Sequence, residues 1–127
     1  MAGVLSPVEN AVLAEKIPVN LRDPDNQWFG LTVRARPIFY VKDRVNPSVL
    51  STYEALTNSQ WKNRVCIRSS NNIYNQSLVA SMIEANGAEA TQKWAEGLVS
   101  NLARKPTGGD TDQLRAAAAG QCDLAIA

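Results

Sequence analysis

Between Arg64 and Gly87 the chain switches from one hydrophobic period to another within a few residues. Arg64-Val65-Cys66-Ile67-Arg68 carries the short apolar run of a buried strand, whereas Leu78, Val79, Met82 and Ile83 recur at the spacing of a helix face. Ser69-Ser70-Asn71-Asn72 stands between them with side chains suited to helix capping, and Gly87 is placed to end the helix in a left-handed conformation. Open α/β sheets hold ligands at the carboxyl ends of their strands, where a following helix points free N–H groups at whatever binds. Tyr74 falls in the first turn of that helix and is the first candidate site residue.

The flanking patterns extend this unit in both directions. Val8, Val12 and Leu13 mark a short helical lead-in that Pro18 ends, and Arg22 to Asn26 is dense in turn residues. Gln27 to Val41 alternates as one long strand, with Thr32, Arg34 and Arg36 on one face and Leu31, Val33 and Ala35 on the other. Two guanidinium groups so spaced make a compact anion-binding pair; a solvated strand edge explains them equally well. Pro37 interrupts the hydrogen-bonding ladder, as on an edge or a crossover. Ser51 to Glu54 has capping-box spacing for a short helix ending near Thr57, and Ala88 to about Ala103 predicts a helix with Trp94, Leu98 and Leu102 inward. Asp110 with Gln113 three residues on predicts a last capped helix that Gly120 closes, and Gln121 to Ala127 reads as the final strand. The loop Arg104 to Gly109 is basic and glycine-rich but lacks the Gly-Lys-Ser/Thr ending of a nucleotide loop. The order of elements predicts an α/β layer with a mostly parallel sheet flanked by helices.

Composition narrows the chemistry. With 13 Lys+Arg against 12 Asp+Glu in 127 residues the net charge is +1, so no broad field favours nucleic acid or an anionic membrane. The sequence has no histidine, which removes the commonest general base and most zinc sites. No paired carboxylates mark a cleft, and Ser69 and Ser70 have no visible base, so the pattern argues against an enzyme. Cys66 and Cys122 each fall in a predicted strand; they form a disulfide closing a long loop or stay as two buried thiols. No apolar run is long enough to span a bilayer, and Met1 to Pro7 lacks the features of a secretory signal.

Several segments together resemble the periplasmic ferric-iron-binding proteins of bacterial ABC importers. These are Asn20-Leu21-Arg22-Asp23-Pro24, Trp28 to Arg36, Leu50 to Leu56, Trp61 to Arg64, Arg68 to Asn71 and Ile73 to Leu78. The resemblance implies one lobe of a type II periplasmic-binding-protein fold, with residues 1–26 as a lead-in from a first lobe. Residues 27–127 are then a solute-binding lobe truncated at its C-terminus. Tyr74 matches a phenolate ligand of Fe(III), a hard cation able to displace a phenol proton. Arg34 or Arg36 matches the binder of a synergistic anion such as carbonate, and Ser69, Ser70 and Asn71 form the turn beside it. A cysteine pair like Cys66 and Cys122 occurs on adjacent strands in some relatives, and the implied periplasmic location is one where a disulfide between them would persist. The implied partner is an ABC permease. Relatives continue past the last strand into two further tyrosine ligands, so an incomplete ligand set and weak iron binding are expected of this chain. The apolar end Leu124-Ala125-Ile126-Ala127 and the long Gln27 to Val41 strand lead to the expectation of a homodimer through exposed edges. The alternatives are a receptor lobe for another anionic solute and an isolated self-associating α/β lobe.

Overall fold

The computed structural model describes residues 3–127 and divides into two compact units, the first ending at Ala35 and the second running Arg36–Ala127. In the first unit, α1 (Ala11–Lys16) is capped by Asn10, whose side chain accepts from the N–H groups of Val12 and Leu13. A 3-10 turn, Val19–Leu21, leads to a single antiparallel bridge between Arg22 and Phe29. The intervening turn is held by the Asp23 carboxylate, which accepts from the N–H groups of Asp25 and Gln27. The long strand expected over Gln27 to Val41 does not form: apart from the lone bridge at Phe29, pairing is confined to β1 (Ile38–Tyr40). Alternation marks sidedness, but a strand also needs a partner ladder, and Leu31 and Val33 instead lie 77% and 79% exposed.

The second unit is built on a three-stranded sheet of order β1-β3-β2, with β2 at Val65–Ile67 and β3 at Leu124–Ile126. β2 and β3 are parallel and β1 is antiparallel to β3, so the sheet is mixed. β3 is the centre, and all three of its residues are 0% exposed. The terminal apolar run therefore offers no bare edge, and that basis for pairing two copies falls away.

Side chains alternate across the sheet by size. Val65, Leu124 and Ile126 face a large cluster with Leu56, Trp61, Leu78, Met82, Trp94 and Leu98. Cys66 and Ala125 face the other way, onto Ala116 and Ala117 of α4 (Asp110–Ala118). The alanine run is thus the close-packing face of a helix laid on the sheet. Cys66 and Cys122 lie on this face, joined by a disulfide with their Cα atoms 5.9 Å apart.

On the large face, α2 (Ile73–Asn86) buries Leu78 and Met82, while Ile83 is 44% exposed. Gly87 follows at φ 84° and ψ 160°. This is a glycine-only extended region rather than the expected left-handed helical one, and it lets α3 (Ala88–Ser100) begin at once. α3 buries Thr91, Trp94 and Leu98 and stops short of the expected Ala103. Asn101 ends it, its amide donating to the carbonyls of Leu56 and Asn58. Trp94 and Trp61 are buried with their indole N–H groups donating to the carbonyls of Tyr53 and Ala55. No helix among the described residues is long and apolar enough to cross a membrane.

α3 crosses the 3-10 turn Glu54–Thr57 at Gly97, where a β-carbon would stand 2.8 Å from Thr57 Cβ. Better helix propensity favours alanine at such a position by up to about 1 kcal/mol, but the contact is between anchored atoms and overpacking costs about 1–3 kcal/mol. Gly97→Ala is therefore expected to destabilise the chain. Urea denaturation checks this; a raised midpoint would show that the turn yields freely.

Candidate functional site

The register brings one group of residues to one edge. Ile126 of β3 is opposite Ile38 of β1 and Ile67 of β2. The carboxyl ends of the two parallel strands therefore meet the beginning of the antiparallel one. Arg36 precedes β1, Arg68 follows β2, and the first turns of α2 and α4 bring Tyr74, Asn75 and Asp110 to the same edge.

Asp110 is the hub. Its Oδ1 accepts from Arg36 Nη1 at 2.8 Å and its Oδ2 from Arg68 Nη1 at 3.1 Å. Both arginine side chains are largely buried, 11% and 19% exposed. Arg36 Nη2 donates to Asn75 Oδ1 at 3.0 Å, and Asn75 Nδ2 donates to the carbonyls of Arg68 and Ser69. One buried amide so ties the turn after β2 to the arginine before β1. The Nε atoms of Arg36 and Arg68 are buried with no hydrogen-bond partner among the described residues.

Tyr74 lies against both cations. The guanidinium carbons of Arg36 and Arg68 are 5.8 and 5.5 Å from its ring centroid, within cation–π range. Asn72 caps α2 by accepting from the Tyr74 N–H, which fixes the backbone under the ring. The ring is only half-buried. Tyr53 is a contrast: its hydroxyl donates to the Arg36 carbonyl, and burial pushes its phenol above the usual range against the opposing Arg36 charge.

The other expected residues are placed more loosely. Ser69 Oγ accepts from the Asn71 N–H at 3.4 Å, while Ser70 and Asn71 are exposed. Arg34 is exposed and belongs to the first unit, and within the second unit the arginine beside Arg36 at this edge is Arg68. Asp110 was expected to cap α4, but Gly109 holds that position and Asp112 turns back to accept from its N–H at 2.7 Å. Released from capping, Asp110 serves the arginines. Gln113, expected to answer it, is instead fully buried and donates to the carbonyls of Thr107 and Gly109. Arg68, Asn75 and Asp110 are thus the site residues that pattern reading missed; an arginine directly after a buried strand was the available signal.

The bacterial extracellular solute-binding protein family matches residues 2–122. The chain belongs to this family. Among individual relatives, the chain is 53% identical over 126 residues to Iron uptake protein A2 of Synechocystis. That match takes in 99% of this chain and 36% of the relative, so the chain spans about a third of that protein's length. A Trichodesmium protein solved in complex with iron and citrate ligands superposes with a TM-score of 0.91 at 52% identity, covering 98% of this chain and 40% of that one. The ferric binding protein from Campylobacter jejuni gives a TM-score of 0.91 at 41% identity, covering 96% and 39%. The fold is that of a lobe of these periplasmic binding proteins.

Burial alone would raise the Asp110 carboxyl, but the hydrogen bonds and charges of Arg36 and Arg68 outweigh it and hold the carboxyl below its usual range. A depressed acid stabilises the fold fully above the ordinary aspartate value, about 4, and the gain is lost as pH falls through the lower folded value. Asp110→Asn is expected to cost about 1–3 kcal/mol at neutral pH, as for a hydrogen bond to charged groups. The gap to wild type should close below about pH 4. Urea titrations over a pH series measure this; a gap independent of pH would contradict the ionised triad.

Proposed function

We propose that this chain forms the Fe(III)-facing lobe of a periplasmic receptor that delivers iron to an ABC permease, with Tyr74 as a phenolate ligand. The observation that carries the reading is the placement of Tyr74, half-exposed in the first turn of α2 and flanked by two guanidinium groups, in a chain 53% identical to an iron uptake protein. Fe(III) is a hard cation that prefers anionic oxygen, and a phenol loses its proton to a metal ion on binding. The ion is cargo, bound and released unchanged.

One phenolate does not complete a ferric coordination shell. Among the described residues no group of three or more His, Cys, Asp or Glu is gathered to hold a metal. In this reading the other donors lie outside the span shared with the longer relatives, so the chain alone binds iron weakly. A synergistic anion such as carbonate completes the proposal, with Arg36 and the Ser69, Ser70 and Asn71 turn as its contacts. Arg36 already holds the Asp110 carboxylate, so an external anion there has to share or displace that partner. A homodimer forms no part of this reading.

Ferric nitrilotriacetate titrated into the chain tests the ligand role. A visible phenolate-to-iron charge-transfer band is expected, weak and saturable, and absent in Tyr74→Phe. No band in the wild-type chain, or an undiminished band in the variant, would overturn it.

A further inference from the structure

We propose that Asp110 is a positioning residue for the cation site at Tyr74, acting through Arg36 and Arg68; the inference rests on the ferric reading above. Two positive groups packed against the ring of a cation ligand pose a conflict. They complement an anionic phenolate, yet they repel a trivalent ion. Asp110 answers both sides of it, because it cancels one of the two charges and pins both guanidiniums through separate oxygens, at 2.8 and 3.1 Å. Asn75 also accepts from Arg36 Nη2, so Arg36 moves only by breaking that bond as well as its pair with Asp110, and Arg68 only by leaving Asp110.

The other end of the sheet supplies an internal control. There Asp123, immediately before β3, takes Arg64 Nε at 2.6 Å and Arg44 Nε at 3.0 Å. The remaining N–H groups of those arginines donate to the carbonyls of Ala117, Cys122, Gln60 and Arg44. The aromatic ring under Arg64 is Trp61, which is buried. The same three charges thus occur twice, once against a buried indole and once against a partly exposed tyrosine.

The test compares Asp110→Asn with Asp110→Glu and with Arg44→Gln, which breaks the matching pair at the far end. Two readouts are taken on the folded chain: the charge-transfer band with ferric nitrilotriacetate, and the NMR signals of 13C-labelled tyrosine rings without metal. Asp110→Asn is expected to weaken ferric binding by about 10-fold or more, the usual effect of removing a group that orients a metal ligand. It should also shift or broaden the Tyr74 ring signals. Asp110→Glu should restore much of both, and Arg44→Gln should lower stability while leaving both unchanged. An unaltered Tyr74 spectrum in Asp110→Asn, or an equal change in Arg44→Gln, overturns the positioning role. A wild-type chain without a band would defeat the ferric reading alone, since the ring signals decide the placement of Tyr74 independently of metal.

Discussion

Burial of β3 is the constraint on which the larger unit depends. Its three residues are covered on both faces and paired on both sides, so water reaches none of Leu124, Ala125 and Ile126. A strand enclosed in this way must be specified at its ends, and here each end of the sheet carries one aspartate between two arginines. A slip of one residue would turn Leu124 and Ile126 onto the alanine face of α4, where there is space only for small side chains. It would also draw Asp123 away from Arg44 and Arg64. Packing and charge therefore select the same register, the kind of agreement across levels that singles out one structure.

The two faces of that strand explain why the helices divide as they do. Bulky residues of β2 and β3 meet α2, α3 and the 3-10 turns, whereas Cys66 and Ala125 leave a shallow surface that accepts the alanines of α4. The parallel pairing of β2 with β3 is separated by three helices, and loop closure of that length is costly in the unfolded chain. The Cys66–Cys122 bridge spans 56 residues and joins β2 to the segment just before β3. A cross-link over a loop of this size contributes about 2–4 kcal/mol, largely by restricting the unfolded state.

Local pattern made the β2-turn-α2 unit legible: Val65 to Ile67, the polar turn and the helix ending at Asn86 all stand where period and capping chemistry place them. The last strand and the helix before it were legible for the same reason. Residues 27–37 were not, because alternation of Leu31, Val33 and Ala35 with arginines describes a two-faced segment and says nothing about whether a neighbouring strand is there to pair. The site was only partly readable. Tyr74 is announced by its position in a helix after a strand, but Asp110 was hidden by a one-residue ambiguity in the cap of α4, where Gly109 and Asp112 form a pair as good as Asp110 and Gln113. Arg68 and Asn75 were hidden because their roles depend on contacts across the sheet edge, which no local period encodes.

The repeated Arg-Asp-Arg arrangement also shows how structure and recognition are separated within one small sheet. At the amino ends of the parallel strands the charges are spent on backbone carbonyls and one carboxylate, and the nearby indole is enclosed. Such a cluster holds chain segments in place. At the carboxyl ends the helix N-termini of α2 and α4 bring in Asn75 and Asp110 to immobilise the arginines beside Tyr74. Its backbone is fixed by the Asn72 cap and its ring by two anchored cations. Were Tyr74 the ligand proposed above, a group supported in this manner would lose little conformational freedom on binding, and that preorganisation would favour capture of an ion.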